Sequence, residues 1–150
     1  MKLKTILVPT DFSPDAEVAL EKASELARTF DARIVLLHAF SPELPLAGGA
    51  YGGGVILPEG FYVQYRTQAT IQVERLAKET AAKEGVQVQG VAIQQVPWIA
   101  IVEQAEALPA DWVVMGTRGL TGIKHVTLGS TAERVVRKAT CPVLTVKAKD

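Results

Sequence analysis

A glycine-rich stretch between residues 116 and 131 carries residue types that could bind an anion. Its candidate members are Gly116, Arg118, Gly119, Lys124, Gly129, Ser130 and Thr131. Glycines lack a Cβ, so their backbone amides can approach a phosphate closely. Unpaired amides at the start of a helix, with the positive end of the helix dipole, form an anion site. Because two hydroxyls and two cations accompany these amides, the stretch predicts a phosphate-binding loop.

The same stretch also fits a plainer interpretation as a surface loop. Its glycines would then serve only the turns, and Ser130 would serve only as the cap of the following helix. The residue types alone do not choose between the two interpretations.

Three other nucleotide or phosphate motifs are absent from the sequence. No Gly-Lys-Ser or Gly-Lys-Thr occurs, which excludes a Walker A loop. The first predicted strand-to-helix turn, Pro9–Ser13, contains no glycine, so the dinucleotide fingerprint is missing where it should stand. After the third predicted strand the chain has Gln94 and Gln95 rather than an acidic phosphoacceptor, which argues against a response-regulator receiver.

Four single side chains have both a structural and a functional interpretation. His125 lies inside the glycine-rich stretch, and Asp11, His38 and Cys141 lie outside it. Asp11 is either a turn aspartate or a nucleotide contact. Since a carboxylate repels a triphosphate, its partner would be ribose, adenine or a bridging Mg²⁺. His38 is interpreted as a hydrogen-bonded, partly buried residue. His125 is either exposed or a phosphate contact, and Cys141 is read as a small buried residue rather than a nucleophile.

The hydrophobic pattern predicts the elements that position these residues. Strands are expected at Thr5–Val8, Arg33–Ala39, Val86–Ile93, Trp112–Met115 and Pro142–Lys147, and helices at Pro14–Phe30, Pro58–Glu84, Pro97–Leu108 and Ser130–Ala139. Ser13 and Pro14 are typical of a helix start. The segment from Phe40 to about Leu57, with glycines at 48–54, predicts a long loop that is either functional or disordered.

This alternation of buried strands and helices predicts an α/β fold with a parallel sheet covered on both faces. Ligands of such sheets bind outside the carboxyl ends of the strands, where the strand order reverses. The segments directly after the strands are therefore expected to form the site.

Composition limits the class of protein. The chain has 150 residues, 48% of them hydrophobic and 21% charged, which predicts one globular domain over residues 1–150. Its net charge of zero argues against a dedicated nucleic-acid binder. Residues 116–150 nevertheless carry seven basic side chains against two acidic ones, which fits a local anion site. One cysteine, no signal peptide and no long apolar run predict a cytoplasmic protein without a membrane segment.

The glycine spacing resembles that of the nucleotide-binding branch of the universal stress protein family. The family pattern Gly-x2-Gly-x9-Gly-Ser/Thr is matched by Gly116, Gly119, Gly129 and Ser130. The resemblance extends to three further segments: Ile6–Asp11, Leu36–Ala39 and Cys141–Val146. Thr131 departs from the family, because a small aliphatic residue is common at that position.

The resemblance implies a doubly wound, Rossmann-like sheet of order 3-2-1-4-5 that binds ATP, with Mg²⁺, between its first and fourth strands. The implied contacts are Pro9, Thr10, Asp11, Ala39, Met115, Gly116, Arg118, Gly119, Gly129, Ser130 and Thr131. Ala39 would act through its backbone or by packing. The resemblance also implies a twofold homodimer, in which the C-terminal strand pairs antiparallel with its copy.

The leading hypothesis is an ATP-binding stress-response protein whose nucleotide occupancy sets its dimer or partner-binding state. A slow ATPase or phosphotransferase remains an alternative, although only His125 stands out as a general base. A nucleotide-free interaction module is the third hypothesis, and the complete glycine pattern argues against it.

Overall fold

The computed structural model describes residues 3–41, 58–120 and 128–149. Within them lie, in chain order, β1 (Thr5–Pro9), α1 (Pro14–Phe30), β2 (Arg33–Phe40), α2 (Glu59–Glu84), β3 (Val88–Gln94), α3 (Pro97–Ala107), β4 (Trp112–Gly116), α4 (Ser130–Lys138) and β5 (Val143–Val146). All nine predicted elements are present, and their ends differ from the predicted ones by at most two residues. Lys124, His125 and the glycines at 48–54 lie outside the described residues.

The five strands form one parallel sheet of order β3-β2-β1-β4-β5, which confirms the predicted topology. The order reverses between β1 and β4. These two strands pair only at Ile6 with Trp112 and at Leu7 with Val113, although both strands continue beyond that point. The sheet therefore opens between their carboxyl ends.

Strand side chains alternate between two buried layers, as the period of two in a strand requires. One layer, containing Ile6, Val8 and Leu36, packs under α1 and α2. The other, containing Leu7 and Leu37, packs under α3 and α4. Because helices cover both faces of the sheet, close packing fixes the positions of the strand ends.

Helix α1 begins as its sequence predicts. The hydroxyl oxygen of Ser13 accepts a hydrogen bond from the amide of Ala16 at 3.3 Å, and Pro14 occupies the first helical position. This start places the first turn of α1 beside the end of β4.

Among the helices that the structure describes, none combines the length and the apolar character needed to cross a membrane.

Candidate functional site

A cavity of about 310 Å³ lies where β1 and β4 separate. Its volume is within the usual range of small-molecule pockets, about 300–1,000 Å³. Ten of the eleven predicted site residues line it: Pro9, Thr10, Asp11, Ala39, Met115, Gly116, Arg118, Gly119, Ser130 and Thr131. The eleventh, Gly129, directly precedes α4 and caps it. The structure thus brings the predicted residues together from four separate segments.

The turn after β1 is held by its own side chains. The hydroxyl of Thr10 accepts a hydrogen bond from the amide of Phe12 at 3.0 Å, and one carboxylate oxygen of Asp11 accepts from the amide of Ser13 at 3.0 Å. These contacts hold Phe12 in a left-handed conformation, with φ of 61°. His38 lies beside the turn with its Nδ1 2.9 Å from the carbonyl oxygen of Thr10, so it is a hydrogen-bonded, half-buried residue as expected.

Asp11 also joins this turn to the loop after β4. Its second carboxylate oxygen accepts a hydrogen bond from the amide of Leu120 at 3.1 Å. A Cβ on Gly119 would lie 2.6 Å from the same oxygen, so a side chain there would displace the Asp11 carboxylate from this contact. Asp11 therefore shapes one wall of the cavity as well as lining it.

The other two glycines of the pattern also make room for neighbouring backbone. A Cβ on Gly116 would lie 2.8 Å from the Cβ of Asp15, and one on Gly129 would lie 3.1 Å from the carbonyl oxygen of Thr117. The same oxygen accepts a hydrogen bond from the amide of Gly129 at 2.6 Å. Close packing of α1, the loop after β4 and the start of α4 is a physical reason for this glycine spacing that the sequence analysis did not anticipate.

The start of α4 corrects one interpretation of Ser130. Gly129 is the cap, with φ of −69° and ψ of 158°, and Ser130 is the first helical residue rather than the cap. The first backbone bond of the helix runs from the amide of Glu133 to the carbonyl oxygen of Gly129 at 2.9 Å. The amides of residues 130–132 precede that bond and have no acceptor within the helix. Since all three residues line the cavity, its wall carries the donors that an anion requires.

Asp15 is a buried polar centre that was not predicted from the sequence. Its side chain is 5% exposed. Its oxygens accept hydrogen bonds from the Thr117 hydroxyl at 2.9 Å, the Arg118 amide at 3.0 Å, the Arg118 guanidinium at 3.3 Å and the Ala148 amide at 3.1 Å. A sequence signal existed, because Asp15 stands four residues before Ala19 on the buried stripe of α1.

Arg118 has a second role beside the one expected. It lines the cavity, but its guanidinium forms an ion pair with Asp15, and its side chain is only 15% exposed. Part of its charge is therefore balanced by protein. Among the described residues, no group of three or more His, Cys, Asp or Glu side chains could hold a metal ion, and Asp11 is the acidic residue of the cavity lining.

Acid should weaken the protein partly through Asp15. Burial alone would raise the pKa of this carboxyl, but the hydrogen bonds from Arg118, Ala148 and Thr117 outweigh burial and hold the pKa below its ordinary value. A carboxyl with a lowered pKa stabilises the fold above its unfolded pKa of about 3.9, and this contribution is lost as the pH falls through the folded value. We expect Asp15→Asn to cost about 2 kcal/mol of unfolding free energy at neutral pH and progressively less in acid. Urea denaturation of both proteins between about pH 7 and pH 2 measures this difference. A difference that stays constant over the range would contradict a stabilising charge on Asp15.

Cys141 lies half-buried beside the layer under α3 and α4, and desolvation raises the pKa of its thiol. A protonated thiol is a poor nucleophile. This environment favours the structural interpretation of Cys141, although the residue is partly buried rather than fully buried as predicted.

Known proteins share both the sequence and the fold of this chain. A model of the universal stress protein family matches residues 2–147. Universal stress protein MJ0531 of Methanocaldococcus jannaschii is 36% identical over 144 residues, covering 96% of this chain and 82% of that protein. The solved structure of MJ0577 from the same organism has a TM-score of 0.80 at 28% identity, covering 100% of this chain and 99% of that one.

A nucleotide complex is among the similar structures. The universal stress protein from Archaeoglobus fulgidus, solved in complex with dAMP, has a TM-score of 0.64 at 25% identity, covering 98% of this chain and 100% of that one. Because the family model spans nearly the whole chain, this chain belongs to the universal stress protein family.

Proposed function

We propose that the cavity binds ATP and that the protein is a cytoplasmic stress-response protein whose nucleotide occupancy sets its dimer or partner-binding state. The observation that carries the proposal is the convergence of the α4 amides and the loop after β4 at the opening between β1 and β4. The dAMP complex of the Archaeoglobus fulgidus relative supports an adenine nucleotide as the ligand class.

The cavity lining contains groups that suit both parts of a nucleotide. Pro9, Ala39 and Met115 offer apolar surface for the base. Residues 116–119 and 130–132 carry amides, hydroxyls and a cation for the phosphates. Asp11 suits a ribose hydroxyl, since a carboxylate accepts hydrogen bonds but repels phosphate. Mg²⁺ would enter with the triphosphate, whose oxygens supply much of its coordination.

Binding, rather than rapid hydrolysis, is the activity that this arrangement favours. Hydrolysis needs a base or side chain that positions a water molecule, in addition to phosphate donors. Among the described residues of the cavity lining, Asp11 is the only candidate base, and its carboxylate binds the amides of Ser13 and Leu120 rather than a side chain that could help it to position a water molecule.

The nucleotide released by the freshly purified protein on denaturation tests the proposal. We expect mass spectrometry to identify ATP, and calorimetry on the stripped protein to show ATP binding and much weaker GTP binding. Released ADP, with ATP binding on titration, would favour the slow hydrolase. Absence of released nucleotide together with absence of ATP binding would contradict the proposed function and favour the nucleotide-free module.

The proposed dimer would use the outer edge of β5. The carbonyl oxygens of Pro142 and Val146 accept hydrogen bonds from the amides of Val113 in β4 and Thr117 directly after it. The backbone groups of the alternate residues, Val143 and Thr145, therefore point away from the sheet. A second copy could pair with this edge antiparallel across a twofold axis.

A further inference from the structure

Asp15 lies behind the cavity rather than in its lining. It occupies the second position of α1, while its neighbour Ala16 lines the cavity. We propose that Asp15 is a positioning residue for phosphate binding, and that it couples the loop after β4 to the chain that follows β5. This inference rests on the proposed nucleotide function.

Thr117 is the residue through which Asp15 acts on the loop. Its hydroxyl donates to Asp15 at 2.9 Å, and its carbonyl oxygen accepts from the amide of Gly129 at 2.6 Å. Gly129 in turn caps α4, whose first amides line the cavity. Asp15, Thr117 and Gly129 therefore form one continuous set of contacts that holds both phosphate-facing segments.

The same carboxylate also holds the chain after β5. The amide of Ala148 donates to Asp15 at 3.1 Å, and the amide of Thr117 donates to the carbonyl oxygen of Val146 at 2.9 Å. Any displacement of the segment after β5 would thus be felt at Thr117. The outer edge of β5, where the proposed dimer would form, is therefore connected to the phosphate side of the cavity.

Removing the charge of Asp15 has two opposed effects on phosphate binding. It would release the Arg118 guanidinium, which could then favour an anion more strongly. It would also leave the Thr117 hydroxyl and the backbone amides of Arg118 and Ala148 with a weaker acceptor in a buried place. We expect the second effect to prevail, because the guanidinium already lines the cavity whereas the loop position depends on these three contacts.

Asp15→Asn should therefore weaken ATP binding about tenfold, the loss expected for a charged hydrogen-bond acceptor. Adenosine, which lacks phosphates, should bind the variant and the wild type equally. The matched control is Asp111→Asn, because Asp111 accepts hydrogen bonds from the amides of Lys4 and Thr5 at the opposite end of the sheet. The control should lose stability without changing the ratio of ATP to adenosine affinity. An unchanged or tighter ATP constant for Asp15→Asn, or an equal loss for adenosine, would overturn the positioning role.

Ala148→Pro tests the coupling separately, because proline has no amide hydrogen to donate to Asp15. We expect a loss of ATP affinity of about threefold for this variant and none for the neighbouring control Lys149→Pro. The double variant Asp15→Asn/Ala148→Pro should bind ATP no more weakly than Asp15→Asn alone, since both changes break one network. Fully additive losses would overturn the coupling. If Asp15→Asn does not fold, the single variant Ala148→Pro still tests the coupling.

Amide hydrogen exchange gives a readout that does not depend on nucleotide. In Asp15→Asn, the amides of residues 117, 118, 120 and 148 should exchange faster, while those of the central strands should not. Unchanged exchange at these amides, or a uniform rise over the sheet, would overturn the proposal. If the wild type binds no ATP, the proposed function fails by itself, and exchange still decides whether Asp15 joins the two segments.

Discussion

Replacing Gly129 with valine should weaken ATP binding at least about hundredfold, the loss expected for two or more hydrogen bonds to a charged ligand. A Cβ at Gly129 would already lie 3.1 Å from the carbonyl oxygen of Thr117, and the two methyl groups of valine would increase the conflict. The start of α4 would have to move away from the loop after β4. That movement separates the amides of residues 130–132 from the opposite wall of the cavity.

The fold should survive the Gly129→Val substitution. The backbone of Gly129 is extended, with φ of −69°, so valine can adopt it. The expected cost is about 1–2 kcal/mol for a poor helix cap and a local overpacking. Calorimetry with ATP, together with circular dichroism and thermal unfolding, measures both effects.

Gly60→Val is the matched control for this substitution. Gly60 lies in the first turn of α2, and a Cβ there would meet nothing within 4 Å. This variant should bind ATP as the wild type does. Wild-type affinity in Gly129→Val would contradict the assignment of residues 116–131 as the phosphate loop.

The fold was predictable from local patterns in the sequence. Short apolar runs such as Ile6–Val8 indicate strands buried on both faces, and Ser13 with Pro14 indicates where α1 begins. The order of the strands is a different kind of information, because it depends on contacts between distant segments. It came from the family resemblance, and the observed pairing of β1 with both β2 and β4 confirms it.

The residues that line the cavity were predictable from the sequence, but the contacts that hold them in place were only partly predictable. Residues directly after parallel strands must meet at one edge of the sheet, so Asp11 and Gly116 were expected to be neighbours. Asp15 was missed because its partners, Thr117, Arg118 and Ala148, lie more than 100 residues away, and a local pattern contains no record of such pairings. The glycine spacing pointed to a loop that lines the cavity, and the structure adds that its glycines make room for neighbouring protein atoms.

The outer edge of β5 is where the proposed dimer would form. Thr145→Pro should convert the proposed dimer into a monomer, raising its dissociation constant at least about hundredfold through two lost hydrogen bonds and the bulk of two proline rings. The alternation of bonds to β4 turns the amide of Thr145 away from the sheet, so proline removes a donor that the fold itself does not use. Leu144, which precedes it, is extended, as the residue before a proline prefers.

The opposite edge of the sheet provides a control of the same chemistry. The amide of Gln95 donates to the carbonyl oxygen of Phe40, and the carbonyl oxygen of Gln87 accepts from the amide of Ile34, so the odd-numbered residues of this segment face β2. The amide of the even-numbered Ala92 therefore points away from β2. Ala92→Pro therefore also removes an outward donor from an edge strand, and it should leave the dimer intact.

Light scattering with sedimentation, with and without ATP, measures the association of the wild type, Thr145→Pro and Ala92→Pro. If occupancy sets the dimer state, saturating ATP must tighten the wild-type dimer by the square of the factor by which dimerisation tightens each ATP site, because the dimer carries two sites. A dimer that persists in Thr145→Pro, or that is lost equally in Ala92→Pro, would contradict pairing through β5.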